Sequence, residues 1–170
     1  MNIKKVSERI VTGQNIFSGV EDFNLGASPC NYMHLTATEN LKEQTDFFES
    51  KLRFEIDAFD LFTALNAGEK IVVIDTRKRE AYKTEHIPGA LSMPHHEMNE
   101  TTLADFDRDV LYVTYCQGIE CNGSTKGALN MSRHGFRVKE LVGGIAGWKL
   151  DSFATDGTNA EEGLAIECAC

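Results

Sequence analysis

The stretch from Asp109 to Gly135 constrains this chain more than any other. It opens on an apolar, β-branched and aromatic run, Val110-Leu-Tyr-Val-Thr-Tyr115, which reads as a buried strand. It closes on a helical pattern from about Ser124 to His134, with Gly135 in the position of a C-terminal cap. Between them a short loop begins at Cys116 and carries Gln117, Gly118, Ile119, Glu120, Cys121, Asn122 and Gly123, with Ser124 and Thr125 at the helix start. Strand, tight loop and helix place a side chain at the carboxyl end of a parallel sheet, where α/β folds bind ligands. The facing helix N-terminus offers free N–H groups and a dipole that stabilise an anion. A cysteine in that position is expected to be thiolate-rich near neutral pH. The reading is a nucleophilic sulfur.

The flanking sequence has the rhythm of an alternating α/β unit. Phe54 to Ile56 suits a short strand, and Asp57 is a good N-cap for a helix over 58–67, ended by Gly68. The spacing of Phe59, Phe62 and Leu65 predicts that helix's buried face. Ile71 to Ile74 is a fully apolar central strand, Arg79 to Thr84 a brief helix, His86 to Ala90 a turn, and Leu91 to Met93 a short strand. Thr101 to Phe106 suggests a single helical turn. After Gly135 come a strand over 136–141, a sharp turn at Gly143-Gly144 and a helix over 145–150 around Trp148. Residues 1–35 show no clean periodicity. Thr36-Ala-Thr-Glu39 is a capping box opening a helix to about Leu52, with Leu41, Phe48 and Leu52 on one face. That helix is either laid against the domain or a homodimerisation element, and the sequence does not choose.

Composition removes several classes. A formal net charge of -9 argues against nucleic acid, whose phosphates need clustered Lys and Arg. No apolar run approaches the roughly 18 residues of a membrane helix, so no membrane partner is expected. The basic N-terminus is not followed by the apolar region of a secretory signal. Five irregularly spaced cysteines fit free thiols in a reducing compartment, so the expected location is cytoplasmic. Cys30 and His34 are too few for a metal site, and neither a metal nor a cofactor is expected.

Several of these segments together resemble the rhodanese-like sulfurtransferase domain. Ile74-Asp-Thr-Arg77, Glu80-Ala-Tyr82 and His86-Ile-Pro-Gly-Ala90 look like that family's strand, helix and turn signature. Tyr115-Cys116 looks like its nucleophile at the start of the active-site loop. Gly135-Phe136-Arg-Val138, Leu141-Val-Gly-Gly144 and Trp148 look like its closing strand and helix. The resemblance covers about 53–155, leaving a 1–52 extension with one helix and an acidic tail over 156–170 that ends in Cys168-x-Cys170. It implies an α/β fold with a small parallel β-sheet flanked by helices on both faces. It also implies that Cys116 cycles between thiolate and persulfide, loaded by a sulfane sulfur donor and discharged to a thiol or protein acceptor. A persulfide is anionic near neutral pH, and a curled loop at a helix N-terminus supplies the N–H donors it needs.

The loop departs from that family's usual pattern. It reads longer, and Glu120 is its only charge. Without a basic residue it offers little to thiosulfate, so a neutral or thiol-bound persulfide is an equal candidate donor. Lys126, in the first helical turn, is the one basic group near enough to help bind substrate. Asp75 and Arg77, at the end of a central strand, are expected to form an ion pair or hydrogen-bond the loop. Cys121 is either a resolving thiol for Cys116 or a small residue packing the loop. His86 reads as structural. His95 and His96 suit a pocket rim and, on a strand, point to opposite faces. Cys168 and Cys170 are either a thiol pair able to exchange with Cys116 or hold a soft metal, or plain surface thiols. Three other functions compete. A phosphatase or arsenate reductase needs an Arg closing the loop, and the first Arg after Cys116 is Arg133. A non-catalytic interaction module keeps the fold without the chemistry. A thiol–disulfide switch would join Cys116 to Cys121.

Overall fold

The computed structural model describes residues 41–166. The Thr36–Glu39 capping box, Cys30, His34, Cys168 and Cys170 lie outside them. The first helix, α1 (Leu41–Phe54), leaves Leu41, Phe47, Phe48, Leu52 and Phe54 each more than half exposed. Its C-terminal end is tied by Lys139, whose Nζ donates to the Leu52 carbonyl at 3.0 Å.

Strand β1 (Glu55–Ile56) leads to Asp57, whose carboxylate accepts the Asp60 N–H at 2.8 Å and opens α2 (Ala58–Asn66). The apolar stripe of α2 is centred on Leu61, with Ala58, Phe62 and Leu65 beside it. Phe59, expected inside, is 64% exposed because it falls off that stripe. Then follow β2 (Ile71–Asp75), α3 (Arg79–Thr84), β3 (Leu91–Ser92), β4 (Leu111–Tyr115), α4 (Gly123–Arg133), β5 (Arg137–Leu141) and α5 (Gly144–Leu150). His95–Glu97 form a 3₁₀ turn, so the two histidines are not on a strand. Residues 101–106 are hydrogen-bonded turns rather than a helical turn.

The five strands lie in the order β1-β5-β4-β2-β3, and every neighbouring pair is parallel. Successive residues of the central strands serve opposite faces, which is why these strands read as unbroken apolar runs. Val73, Val113 and Tyr115 meet α2 and α5 through Leu61, Ile145 and Trp148. Ile74 and Tyr112 meet α4 and the turn region through Met131, Met98 and Leu103. Helices thus flank both faces of the sheet.

The acidic segment after α5 does not trail away. Phe153 stacks on Phe62 with ring centroids 4.2 Å apart, and the Trp148 indole donates to the Ala154 carbonyl at 2.8 Å. Asp156 and His86 exchange backbone hydrogen bonds, and the Thr158 and Asn159 amides donate to the Lys83 and Thr84 carbonyls. Lys149 bridges Glu85 and Glu161, both of which hold its ammonium pKa above the ordinary value. These bonds satisfy the backbone of a stretch whose composition alone suggested a tail. Among the described residues no helix is long and apolar enough to cross a membrane.

Candidate active site

The strand order fixes where the loops part. From β2 the chain moves outward to β3, and from β4 it moves the other way to β5. The segments leaving the carboxyl ends of β2 and β4 therefore diverge and open a crevice, the usual ligand position in such sheets. Asp75 pairs with Tyr115 across the two strands, so Thr76, Arg77 and Lys78 come to face Cys116 and Gln117.

The floor is a buried polar network. Arg77 donates from Nε and Nη2 to the Asp75 carboxylate, at 2.7 Å in the closest contact, from Nη2 to the Glu85 carbonyl and from Nη1 to Gln117 Oε1 at 2.9 Å. Burial works to lower the guanidinium's pKa, but the hydrogen bond and charge of Asp75 outweigh it and hold it above the ordinary value. The Tyr115 hydroxyl donates to Asp75 at 2.7 Å and accepts from the Ile87 N–H. Burial, with Asp75 adding to it, pushes that phenol's pKa far up, so it stays a donor. Arg77 thus makes both the ion pair and the loop contact expected of it.

Cys116 sits directly above this floor and is only 4% exposed. Its carbonyl accepts the Ile145 N–H at 3.1 Å, and that of Gln117 accepts the Ala146 N–H at 3.0 Å, so the start of α5 anchors the loop. Close approach requires Gly144, whose φ is +56° and where a Cβ would overlap the Cys116 carbonyl oxygen. On the other side, α4 begins at Gly123, one residue earlier than expected, and shortens the loop to 117–122. A Cβ on Gly123 would stand 2.8 Å from the Cys116 sulfur. That sulfur is bonded to Cys121, their Cα atoms 6.1 Å apart, within ordinary disulfide reach.

The loop separates two clefts. One, of about 380 Å³, is lined by Thr76, Arg77 and Lys78 opposite Cys116, Gln117, Cys121, Asn122 and Gly123, with His95 and His96 at its edge. The His95 imidazole is held below its ordinary pKa by burial first, then by Lys126 and His96. The other, of about 420 Å³, takes Gly118, Ile119, Glu120, Ser124 and Thr125 from the expected site, together with Glu140 of β5. Ser124 and Thr125 donate their hydroxyls to Glu140 at 2.7 and 2.8 Å, so they belong to this second side rather than to the first. Lys126 lines neither cleft. The cations beside Cys116 are Arg77 and Lys78, from the neighbouring strand's loop, and Lys78 was not singled out from sequence; its signal was its place just past the end of an apolar strand. Among the described residues no three His, Cys, Asp or Glu side chains converge as a metal site.

The model of the rhodanese-like domain family matches residues 59–151, more than half of the chain. The chain belongs to the rhodanese-like family. The crystal structure of the BH2092 protein from Bacillus halodurans is 41% identical, covers 70% of this chain and 88% of that one, and superposes with a TM-score of 0.67. The solution structure of the rhodanese-like domain of the Alr3790 protein from Anabaena sp. is 29% identical, covers 62% and 80%, and has a TM-score of 0.56. Among curated proteins, the HTH-type transcriptional regulator Rv0324 of Mycobacterium tuberculosis (strain ATCC 25618 / H37Rv) is 32% identical over 97 residues, 57% of this chain and 42% of the regulator. The chain thus spans less than half the length of that relative. The rhodanese-like family includes sulfurtransferases and members without catalytic activity.

Proposed function

We propose that this rhodanese-like domain is a sulfurtransferase whose Cys116, once reduced, carries a sulfane sulfur. The observation that carries the reading is the placement of the Cys116 sulfur at the parting of the β2 and β4 loops, against the backbone of Gly123 and at the wall of the Thr76–Lys78 cleft. With thiosulfate, the Cys116 thiolate attacks the outer sulfur, the donor's S–S bond breaks, and sulfite leaves with the bonding pair. The persulfide is then discharged to a thiol or protein acceptor. Lys78 is exposed and, among the described residues, engages no carboxylate, so it is free to attract an anionic donor. This restores thiosulfate beside thiol-bound persulfides as a credible donor. A phosphatase reading fares worse. Its guanidinium must clamp three oxygens, whereas Arg77 is committed to Asp75, Gln117 and Glu85.

The Cys116–Cys121 bond favours a second reading, a thiol–disulfide switch in a non-catalytic module, and the likeness to part of a transcriptional regulator is compatible with it. Intact mass spectrometry separates the two. Reduced protein treated with thiosulfate is expected to load sulfur on Cys116, at least transiently, and Cys116→Ser is expected to load none. If neither thiosulfate nor a small persulfide ever loads reduced Cys116, sulfur transfer is lost and the switch stands.

A further inference from the structure

The disulfide records which sulfur Cys121 can reach. It joins the two Sγ atoms directly. In a loaded Cys116, that Sγ is the inner sulfur of the persulfide, and the transferable sulfur lies beyond it. A thiol seated to bond the inner sulfur does not pick up the outer one. It expels it.

We propose that Cys121 is a resolving thiol that makes the domain a hydrosulfide-releasing reductase of sulfane sulfur, and that an external dithiol then reopens the protein from the second cleft. This rests on the loading of Cys116 proposed above. The Cys121 thiolate attacks Cys116 Sγ, the Cys116–sulfane bond breaks, and the outer sulfur leaves as hydrosulfide, leaving the disulfide that the structure contains. The two cysteines are oxidised by two electrons, and the sulfane sulfur is reduced by two. A dithiol restores them. One of its sulfurs attacks Cys121, the other displaces Cys121 from the mixed disulfide, and the dithiol departs as its own disulfide. In sum, thiosulfate and a dithiol give sulfite, hydrosulfide, a disulfide and a proton.

The entry side follows from exposure and charge. Cys116 is buried and borders only the cleft beside Arg77 and Lys78, whereas Cys121 is half-buried and borders both. The dithiol therefore meets Cys121 first, from the side away from the donor. Among the described residues that side carries Glu55, Glu120 and Glu140 against a single cation, Lys51, which is already paired with Glu55 at 2.6 Å. Among the described residues Glu140 takes only the Ser124 and Thr125 hydroxyls, which leave its negative charge uncancelled. An anionic donor is drawn to one side of the loop, and a neutral or cationic dithiol is favoured on the other. Anionic thiols such as glutathione are disfavoured.

The test uses the full chain, reduced, freed of reductant without air and given stoichiometric thiosulfate while a sulfide electrode and intact mass are followed. The wild type is expected to release close to one hydrosulfide per chain and to finish two hydrogens lighter, as the disulfide. Cys121→Ser is expected to keep one added sulfur and release hydrosulfide only when dithiothreitol is supplied. A wild type that loads but holds its sulfur, or a Cys121→Ser variant that releases it equally fast unaided, overturns the proposal while leaving Cys116 as the carrier. A wild type that never loads overturns both. For the entry side, reopening of oxidised protein by glutathione is expected to quicken several-fold in Glu140→Gln, with dithiothreitol little changed. Equal rates in both proteins would remove the second cleft as the dithiol's entry.

Discussion

The two segments that meet at the sulfur are held in opposite ways. Residues 75–77 are buried and fully satisfied: Asp75, Thr76, Arg77 and Tyr115 partner one another, the Ile87 amide and nearby carbonyls. Residues 117–122 are a surface loop. Ile119 is 86% exposed, Gln117, Glu120 and Asn122 are exposed, and one turn from the Cys121 N–H to the Gly118 carbonyl at 3.1 Å closes its middle. The floor is fixed by charge and packing, the loop by two anchors and a sulfur–sulfur bond. A site built this way can remake the loop's covalent state while its floor stays put.

Four measurements bear on that contrast. Arg77→Ala strikes the floor, leaving Asp75 buried without its cation, and about 3–5 kcal/mol of unfolding free energy is expected to go. Urea titration reads it, and Asp75→Asn added to Arg77→Ala is expected to recover part. A loss no larger than that of an exposed arginine would mean the floor is not where the rigidity lies. Gly144→Ala strikes the anchor that holds the start of the loop, since the new methyl meets the Cys116 carbonyl at a positive φ. A cost of about 3 kcal/mol is expected, with slower alkylation or loading of Cys116 even where the protein remains folded.

Reducing the disulfide touches the loop alone. Closing a loop this short is worth about 2 kcal/mol on the chain-entropy account, so the denaturation midpoint is expected to fall modestly. Hydrogen exchange should rise at 117–122 and stay unchanged at 75–77. Faster exchange spread across both would join regions that here are kept apart. The smallest effect is at His95. Its imidazole is held below the ordinary value, so as pH falls the unfolded chain takes up the proton before the folded one does. Stability is therefore lost from the ordinary imidazole range down to the lower folded value, and is regained above it. His95→Gln is expected to flatten that slope slightly in urea midpoints taken across the range.

The sequence made the local parts of this site readable and the long-range parts not. Ile71–Ile74 and Val110–Tyr115 announce buried strands because both their faces are apolar, and Asp57, Gly68 and Gly135 mark helix ends through backbone rules that need no tertiary partner. The loop after β4 follows from its position. What escaped depends on partners far along the chain. Lys78 reaches the cleft only because β2 lies beside β4, and Ser124 and Thr125 turn to Glu140, which β5 brings alongside. Phe59 was misplaced because three evenly spaced apolar residues define a stripe only to within a neighbouring position. The segment from Asp156 onward reads as a tail because its acidic composition does not show the backbone bonds that tie it to Lys83, Thr84 and His86. Whether the two loop thiols join is a matter of curvature, which spacing alone does not state.

Phe153 sets when the described unit closes. Among the described residues strand β1 has only β5 for a neighbour, and Phe62 of the following helix completes its stacking on Phe153. A growing chain therefore leaves β1 unpaired until β5 has emerged, and leaves Phe62 without its stacking partner until Phe153, just past α5, has followed. Both contacts therefore form only after the loop that carries the two sulfurs has been made.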